Sequence, residues 1–193
     1  AIEPRTQAFR VISFFKTVTG NTYTQAEIER LIDPVDTLKM FVVRGYIDDW
    51  DSFSMRRGKN GFFYRRPTDG RFMFFHWDSD LGFANANDYF YQATGERNDM
   101  TAVKPYIEKW YNLRLFKHFL TVLVENYARN SARIETWLQV EEDASSQYSV
   151  SGTYRNWFQS RESRAFNFIG DNRNLTFAIT TNSGNTIGTS DNT

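Results

Sequence analysis

Three carboxylates and one side-chain amide are spaced so that a single hairpin would bring them to one rim. Asp51 closes the acidic cluster Asp48-Asp49-Trp50-Asp51, Asn60 follows after a basic loop, and Asp78 and Asp80 stand two apart behind an aromatic run. Residues two apart on a strand share a face, so Asp78 and Asp80 can reach one ion if the strand continues through them. Oxygen-only donors suit Mg2+, Mn2+ or Ca2+. An Asp that takes a proton beside an amide that holds a metal is also the layout of a phosphotransferase catalytic loop. The bland alternatives are an acidic, solvated strand exit with an Asx turn, and an ordinary Asp/Asn loop. Arg56, Arg57 and Lys59, with Arg65 and Arg66, form a basic patch beside the acids. Such a patch can hold phosphate oxygens or an acidic substrate, or it can simply balance the nearby carboxylates.

The hairpin that must position these groups is legible in two runs. Gly61-Phe62-Phe63-Tyr64-Arg65-Arg66 and Arg71-Phe72-Met73-Phe74-Phe75-His76-Trp77 flank the turn Pro67-Thr68-Asp69-Gly70. Aromatic residues favour strands, and Pro with Asp-Gly favours the turn. Antiparallel pairing then sets Asn60 beside Asp78 and Asp80, with Asp51 arriving from the preceding loop. His76 reads as a packed strand residue rather than a ligand, and His118 has no candidate partner. With two His and no Cys, zinc hydrolysis and Cys-His catalysis are poor fits. No nucleophile elbow, Walker A or glycine-rich phosphate loop occurs.

Helices surround the hairpin. The first is expected over residues 7–18, stopped by Gly20-Asn21. Thr24-Gln25-Ala26-Glu27 matches a capping box, and Asp33-Pro34 supplies an N-cap and a first helical residue for a third helix. That helix is apolar on most of its circumference, hence central, and its end presents the acidic cluster. A loop over 84–101 precedes one long helix over about 104–129, then helices from Ser131 and over about 153–169. Residues 175–180 alternate like a short strand whose partner is expected outside the chain. The fold class is α+β, predominantly helical.

The 193 residues suit one domain, expected over 1–179 with a polar tail or linker over 180–193. Hydrophobic content of 40% with 17% aromatics gives an unusually aromatic core. Lys plus Arg and Asp plus Glu are both 23, so no net charge argues for nucleic acid. No apolar run of about 18 residues is present, so no helical membrane span is expected. The missing Met and the polar close suggest an excised piece of a longer protein.

The order Trp50-Asp51, Lys59-Asn60-Gly61-Phe62-Phe63-Tyr64-Arg65-Arg66-Pro67 and Gly70 through Trp77-Asp78-Ser79-Asp80-Leu81-Gly82-Phe83 resembles the signature of the CotH family, the spore coat protein H-like kinases. The likeness is close over residues 35–85 and general beyond. It implies an atypical protein kinase-like C-terminal lobe, with a β-hairpin carrying the acidic site. It also implies transfer of the ATP γ-phosphoryl group to protein Ser residues with Mg2+ or Mn2+, Ca2+ being the alternative ion. Carried over by position, Asp51 is the catalytic-loop Asp, Asn60 its metal-holding amide, and Asp78 and Asp80 the metal carboxylates. Arg56, Arg57 and Lys59 would then face phosphate or substrate.

Two departures stand out. His76 replaces the usual Pro before Trp-Asp, and the strand-rich nucleotide lobe with its phosphate-contacting Lys does not precede the first helices. The N-terminal lobe of the same parent chain is therefore an expected partner, and activity is expected of the parent rather than of the isolated piece. A cell-surface, extracellular or spore-coat setting follows from the resemblance alone. Two other readings stay open: a non-catalytic binding or scaffold module with a structural cation, and a metal-dependent transferase using Asp78-Ser79-Asp80 as a sugar-nucleotide DxD motif.

Overall fold

The computed structural model describes residues 3–16, 23–55, 59–91, 102–128, 131–144, 151–170, 177–180 and 186–189. Chain order gives α1 (Pro4–Lys16), α2 (Gln25–Glu29), α3 (Pro34–Tyr46), β1 (Gly61–Arg65), β2 (Phe72–His76), α4 (Val103–Ile107), α5 (Trp110–Leu123), a π-helical turn (Val124–Ala128), α6 (Ser131–Ala144), α7 (Ser151–Gly170), β3 (Phe177–Thr180) and β4 (Thr186–Thr189). The described chain is mostly helical, with two separate two-stranded antiparallel sheets, as an α+β reading requires. No described helix is long and apolar enough to cross a membrane.

Local chemistry sets the helix starts. Thr24 Oγ1 accepts from the Glu27 amide while Glu27 takes the Thr24 amide, completing the expected capping box. Asp33 accepts from the Val35 and Asp36 amides, and Pro34 sits in the first turn of α3. Such caps are worth about 0.5–2 kcal/mol each.

The core is an aromatic box between α1, α3, the hairpin and α4. The ring of Phe15 meets Phe41, Phe53, Phe74 and Tyr106 edge-on, with centroids 5.4–6.0 Å apart. Phe53 and Phe63 pack at 5.3 Å and Phe63 and Phe74 at 4.6 Å, fastening the inner face of the hairpin to the loop after α3. Edge-to-face pairs add about 0.5–1.5 kcal/mol each beyond area burial. The box ties the loop carrying Asp51 rigidly to the strands carrying Asn60 and Asp78.

The hairpin register is Gly61↔His76, Phe62↔Phe75, Phe63↔Phe74, Tyr64↔Met73 and Arg65↔Phe72. Phe72 and Phe74 point into the core, whereas Phe62, Tyr64, Phe75 and Trp77 are exposed. The strand is thus buried on one face only, and His76 is exposed rather than packed. An antiparallel pair with one face on a core leaves its other face to solvent, so an aromatic run overstated burial here.

At the turn, Gly70 adopts φ +73° and the Arg66 guanidinium gathers Asp33, Asp36 and Asp69. The hydrogen bond from Arg66 holds the Asp69 carboxyl down at about 2. For Asp33, burial pushes upward, but bonds from the Asp36 amide, Arg66 and the Val35 amide outweigh it and the net shift is down. Both folded values lie below the ordinary 3.8, so their stabilisation is complete above about pH 4 and fades as pH falls towards 2. Thermal midpoints should therefore drop across that window, and Asp69→Asn should flatten the drop. A profile indifferent to Asp69→Asn would show that the fork contributes nothing.

The C-terminal end of α3 meets residues 84–91 at close quarters. A Cβ added at Gly45 would lie 1.8 Å from the Phe90 carbonyl oxygen, so no side chain fits without moving backbone. Gly45→Ala is expected to cost about 1–3 kcal/mol, the range for overpacking, and to lower the urea midpoint. An unchanged midpoint would contradict this close approach.

Three other expectations differ from what is found. The long helix expected over 104–129 is two helices followed by a π turn. The Asn112 side chain donates to the Tyr106 carbonyl at 2.8 Å, and Lys109 is extended (φ −59°, ψ 133°), which breaks the ladder between α4 and α5. The strand near residue 177 finds its partner inside the chain: β3 pairs with β4 in the register Phe177↔Thr189 to Thr180↔Thr186. The polar stretch expected as a tail thus supplies a strand. Residues 84–91 lack regular structure, as expected, whereas 92–101 lie outside the described residues.

Candidate functional site

The site is built where the end of α3, the loop to β1 and the exit of β2 meet. Asp51 is 7% exposed, and its Oδ1 accepts from Asn60 Nδ2 at 2.8 Å. The Lys59 amide donates to the Asp51 carbonyl at 3.1 Å, and Ser52 bridges to Lys59, so the loop closes on itself and returns Asn60 to Asp51. The Trp77 amide donates to the Asn60 carbonyl at 3.1 Å, extending the hairpin pairing one step and bringing the β2 exit alongside. Asp78 and Asp80 are exposed beyond that step. Lys59 is exposed as well, and Arg56 and Arg57 lie outside the described residues.

Backbone conformation concentrates here. Asp48, Asn60, Asp78 and Phe83 hold positive φ of 48°, 55°, 56° and 59°. Asn and Asp tolerate the left-handed region better than other residues with a side chain, and such positions persist only where surroundings enforce them. The enforcing contacts are visible: Asp48 Oδ2 accepts from the Asn85 amide at 2.6 Å, and the Trp77–Asn60 pairing fixes the residue before Asp78.

Beneath the rim lies a feature that sequence reasoning missed. Arg44, 1% exposed, reaches up from α3 to form an ion pair with buried Asp49. Its Nη1 donates to Ser79 Oγ at 2.7 Å and its Nη2 to the carbonyls of Asp78 at 3.1 Å and Trp77 at 3.4 Å. A buried guanidinium is held by such a set of acceptors or not at all. The sequence offered one signal, an arginine in a helix otherwise apolar almost all round, one turn before the acidic cluster.

Electrostatics tie the acids together. Partial desolvation, then the charge of Asp78, hydrogen bonding with it, and the charge of Asp51 raise the Asp80 carboxyl above its ordinary value. Burial pushes the Asp49 carboxyl up to about 6 against the pull of Arg44, and the Asp51 charge adds to the rise. Carboxylates that repel one another are relieved by a cation.

The donors fit a hard divalent ion in chemistry: two exposed carboxylates, a buried third carboxylate, and an amide whose nitrogen is committed to Asp51 while its oxygen is an acceptor. They fall short of a ready-made cage, since no group of three or more Asp, Glu or His among the described residues is arranged to hold a metal. Mg2+ is commonly held by one or two carboxylates together with substrate phosphates, and that is the arrangement these residues suit.

A family model described as CotH kinase protein matches residues 3–148, which include every described site residue. No curated protein and no solved structure matches the chain.

Proposed function

The chain belongs to the CotH kinase protein family, and on that premise we propose that it is the acidic, metal-binding catalytic lobe of a kinase that moves the γ-phosphoryl group of ATP to protein Ser residues. The observation that carries the reading is the Asp51–Asn60 hydrogen bond beside the Asp78/Asp80 exit. It joins a buried carboxylate to an amide at the rim where two exposed carboxylates repel each other.

In this reading Asp51 orients the acceptor hydroxyl and takes its proton as the oxygen attacks phosphorus, while the ADP oxygen leaves. Asn60 fixes one oxygen of Asp51, leaving the other towards the acceptor. Asn60, Asp78 and Asp80 hold Mg2+ or Mn2+, which when bound neutralises charge on the ATP phosphates. Exposed Lys59 would contact phosphate or an acidic partner, and the same role is proposed for Arg56 and Arg57 from the sequence alone. A nucleotide-binding lobe of the same parent chain would complete the ATP site. A spore-coat or cell-surface setting follows the family name.

The test is label transfer from [γ-32P]ATP to a serine-bearing protein with Mg2+, Mn2+, Ca2+ or chelator, on this chain and on a longer protein containing it. Metal-dependent phosphoserine supports the reading. If neither form transfers or binds Mg2+-ATP, the kinase reading fails. Ca2+ binding without nucleotide would favour a scaffold module instead.

A further inference from the structure

We propose that Arg44 is a positioning residue for the candidate metal site: its buried guanidinium fixes the Trp77-Asp78-Ser79 backbone so that Asp78 and Asp80 face the rim shared with Asp51 and Asn60. This role rests on the metal-site reading above and deepens it. Arg44 itself touches neither metal nor substrate.

The geometry is a two-ended clamp. One end is anchored: Arg44 leaves the rigid, buried part of α3 and is paired with Asp49, which is fully buried. The other end grips three consecutive residues of the β2 exit, through the Trp77 and Asp78 carbonyls and the Ser79 hydroxyl. Those are the residues where the chain must bend, because Asp78 takes φ +56° and β2 ends at His76. A left-handed aspartate is not the relaxed choice of an exposed strand exit, and two carbonyls aimed at one guanidinium supply the bias that holds it. With that bend fixed, the side chains of Asp78 and Asp80 interact with each other and with Asp51.

Arg44 also places positive charge under the acids without occupying the rim, so it lowers the mutual repulsion of Asp49, Asp51 and Asp78 while leaving room for a cation. A planar fork suits this task better than an ammonium, because one group must satisfy a carboxylate, a hydroxyl and two carbonyls at once. Groups behind the ligands commonly set metal affinity by 10–100-fold, and Arg44 is so placed.

The experiment is titration of the folded protein with Mn2+, first alone and then with ATP present, followed by the EPR signal of free Mn2+, with thermal midpoints measured metal-free on the same samples. The variants are Arg44→Lys, Ser79→Ala and Asp80→Ala. Arg44→Lys keeps the charge but loses the fork, and is expected to weaken Mn2+ binding about tenfold or more. Ser79→Ala removes one gripped group while keeping Asp49 and the two carbonyls, and is expected to weaken binding about fivefold and to lower the midpoint modestly. Because the titration is made on folded protein, a merely structural arginine would lower the midpoint and leave the affinity unchanged.

If Arg44→Lys fails to fold, Ser79→Ala decides. Wild-type affinity in Ser79→Ala and in any folded Arg44→Lys, with binding lost in Asp80→Ala, would overturn the positioning role while leaving the metal site standing. If the wild-type protein binds Mn2+ neither alone nor with ATP present, the metal-site reading falls and the positioning role falls with it.

Discussion

Asp51→Asn should reduce phosphotransfer by about 10²–10⁴-fold while leaving the fold nearly intact, because it removes a proton acceptor but keeps size and hydrogen-bonding shape. Asp51 is 7% exposed and already engaged by Asn60, so its carboxylate has one oxygen fixed and one to offer. An asparagine presents an amide nitrogen or oxygen to Asn60 and preserves the loop closed by the Lys59–Asp51 backbone bond. The loss should appear in kcat far more than in KM for ATP, since the affected interaction exists only as the hydroxyl attacks. Equal activity in Asp51→Asn would remove Asp51 from the chemistry. A matched collapse of thermal midpoint would mean that its role is structural.

The second large effect is on stability. Arg161, on α7, is wholly buried and donates to five backbone carbonyls: Tyr46 at 2.8 Å, Ala86 at 3.1 Å, Asp88 at 2.7 Å, Tyr89 at 3.3 Å, and Gly45. It also lies 4.1 Å over the Phe90 ring. These contacts sew α7 to the end of α3 and to residues 86–90, the same junction that Gly45 closes from the other side. Burial draws the guanidinium down to about 10, which still leaves it charged at neutral pH.

Arg161→Met fills similar space but strands several carbonyls, and should cost on the order of 3–5 kcal/mol. Against a typical stability of about 5–15 kcal/mol, the urea midpoint should fall steeply. Arg161→Lys should recover little, because one ammonium cannot reach five carbonyls spread across two segments. A midpoint within error of wild type for either variant would contradict this account.

Much of the site was legible because it rests on short-range rules. The alternating aromatic runs, the Pro-Thr-Asp-Gly turn and the caps at Thr24 and Asp33 each announce a local geometry, and antiparallel pairing then delivers Asn60 beside Trp77. Side-chain roles across elements were not legible. Arg44 and Arg161 read as ordinary helical cations, because nothing in a linear pattern says that a guanidinium turns inward to collect carbonyls 33 or 116 residues away.

Exposure also escaped the sequence: Phe75 and Trp77 follow the aromatic pattern of a buried strand yet lie open, since a two-stranded sheet packs one face only, and His76, on the same face as Phe74, lies open at the last pair of the hairpin. The break between α4 and α5 turns on one side chain, Asn112, reaching the Tyr106 carbonyl. Helical periodicity continues across such a break undisturbed.

The central claim is that Asp78 and Asp80 hold a divalent ion that joins ATP to this lobe. Isothermal titration with ATP, in the presence and absence of Mg2+, on wild type and Asp80→Asn addresses it most directly, carried out on this chain and on a longer protein containing it. The account predicts Mg2+-dependent ATP binding that weakens at least about tenfold in Asp80→Asn, as the loss of one metal carboxylate requires. Binding that is the same with and without Mg2+, or the same in wild type and Asp80→Asn, would contradict it.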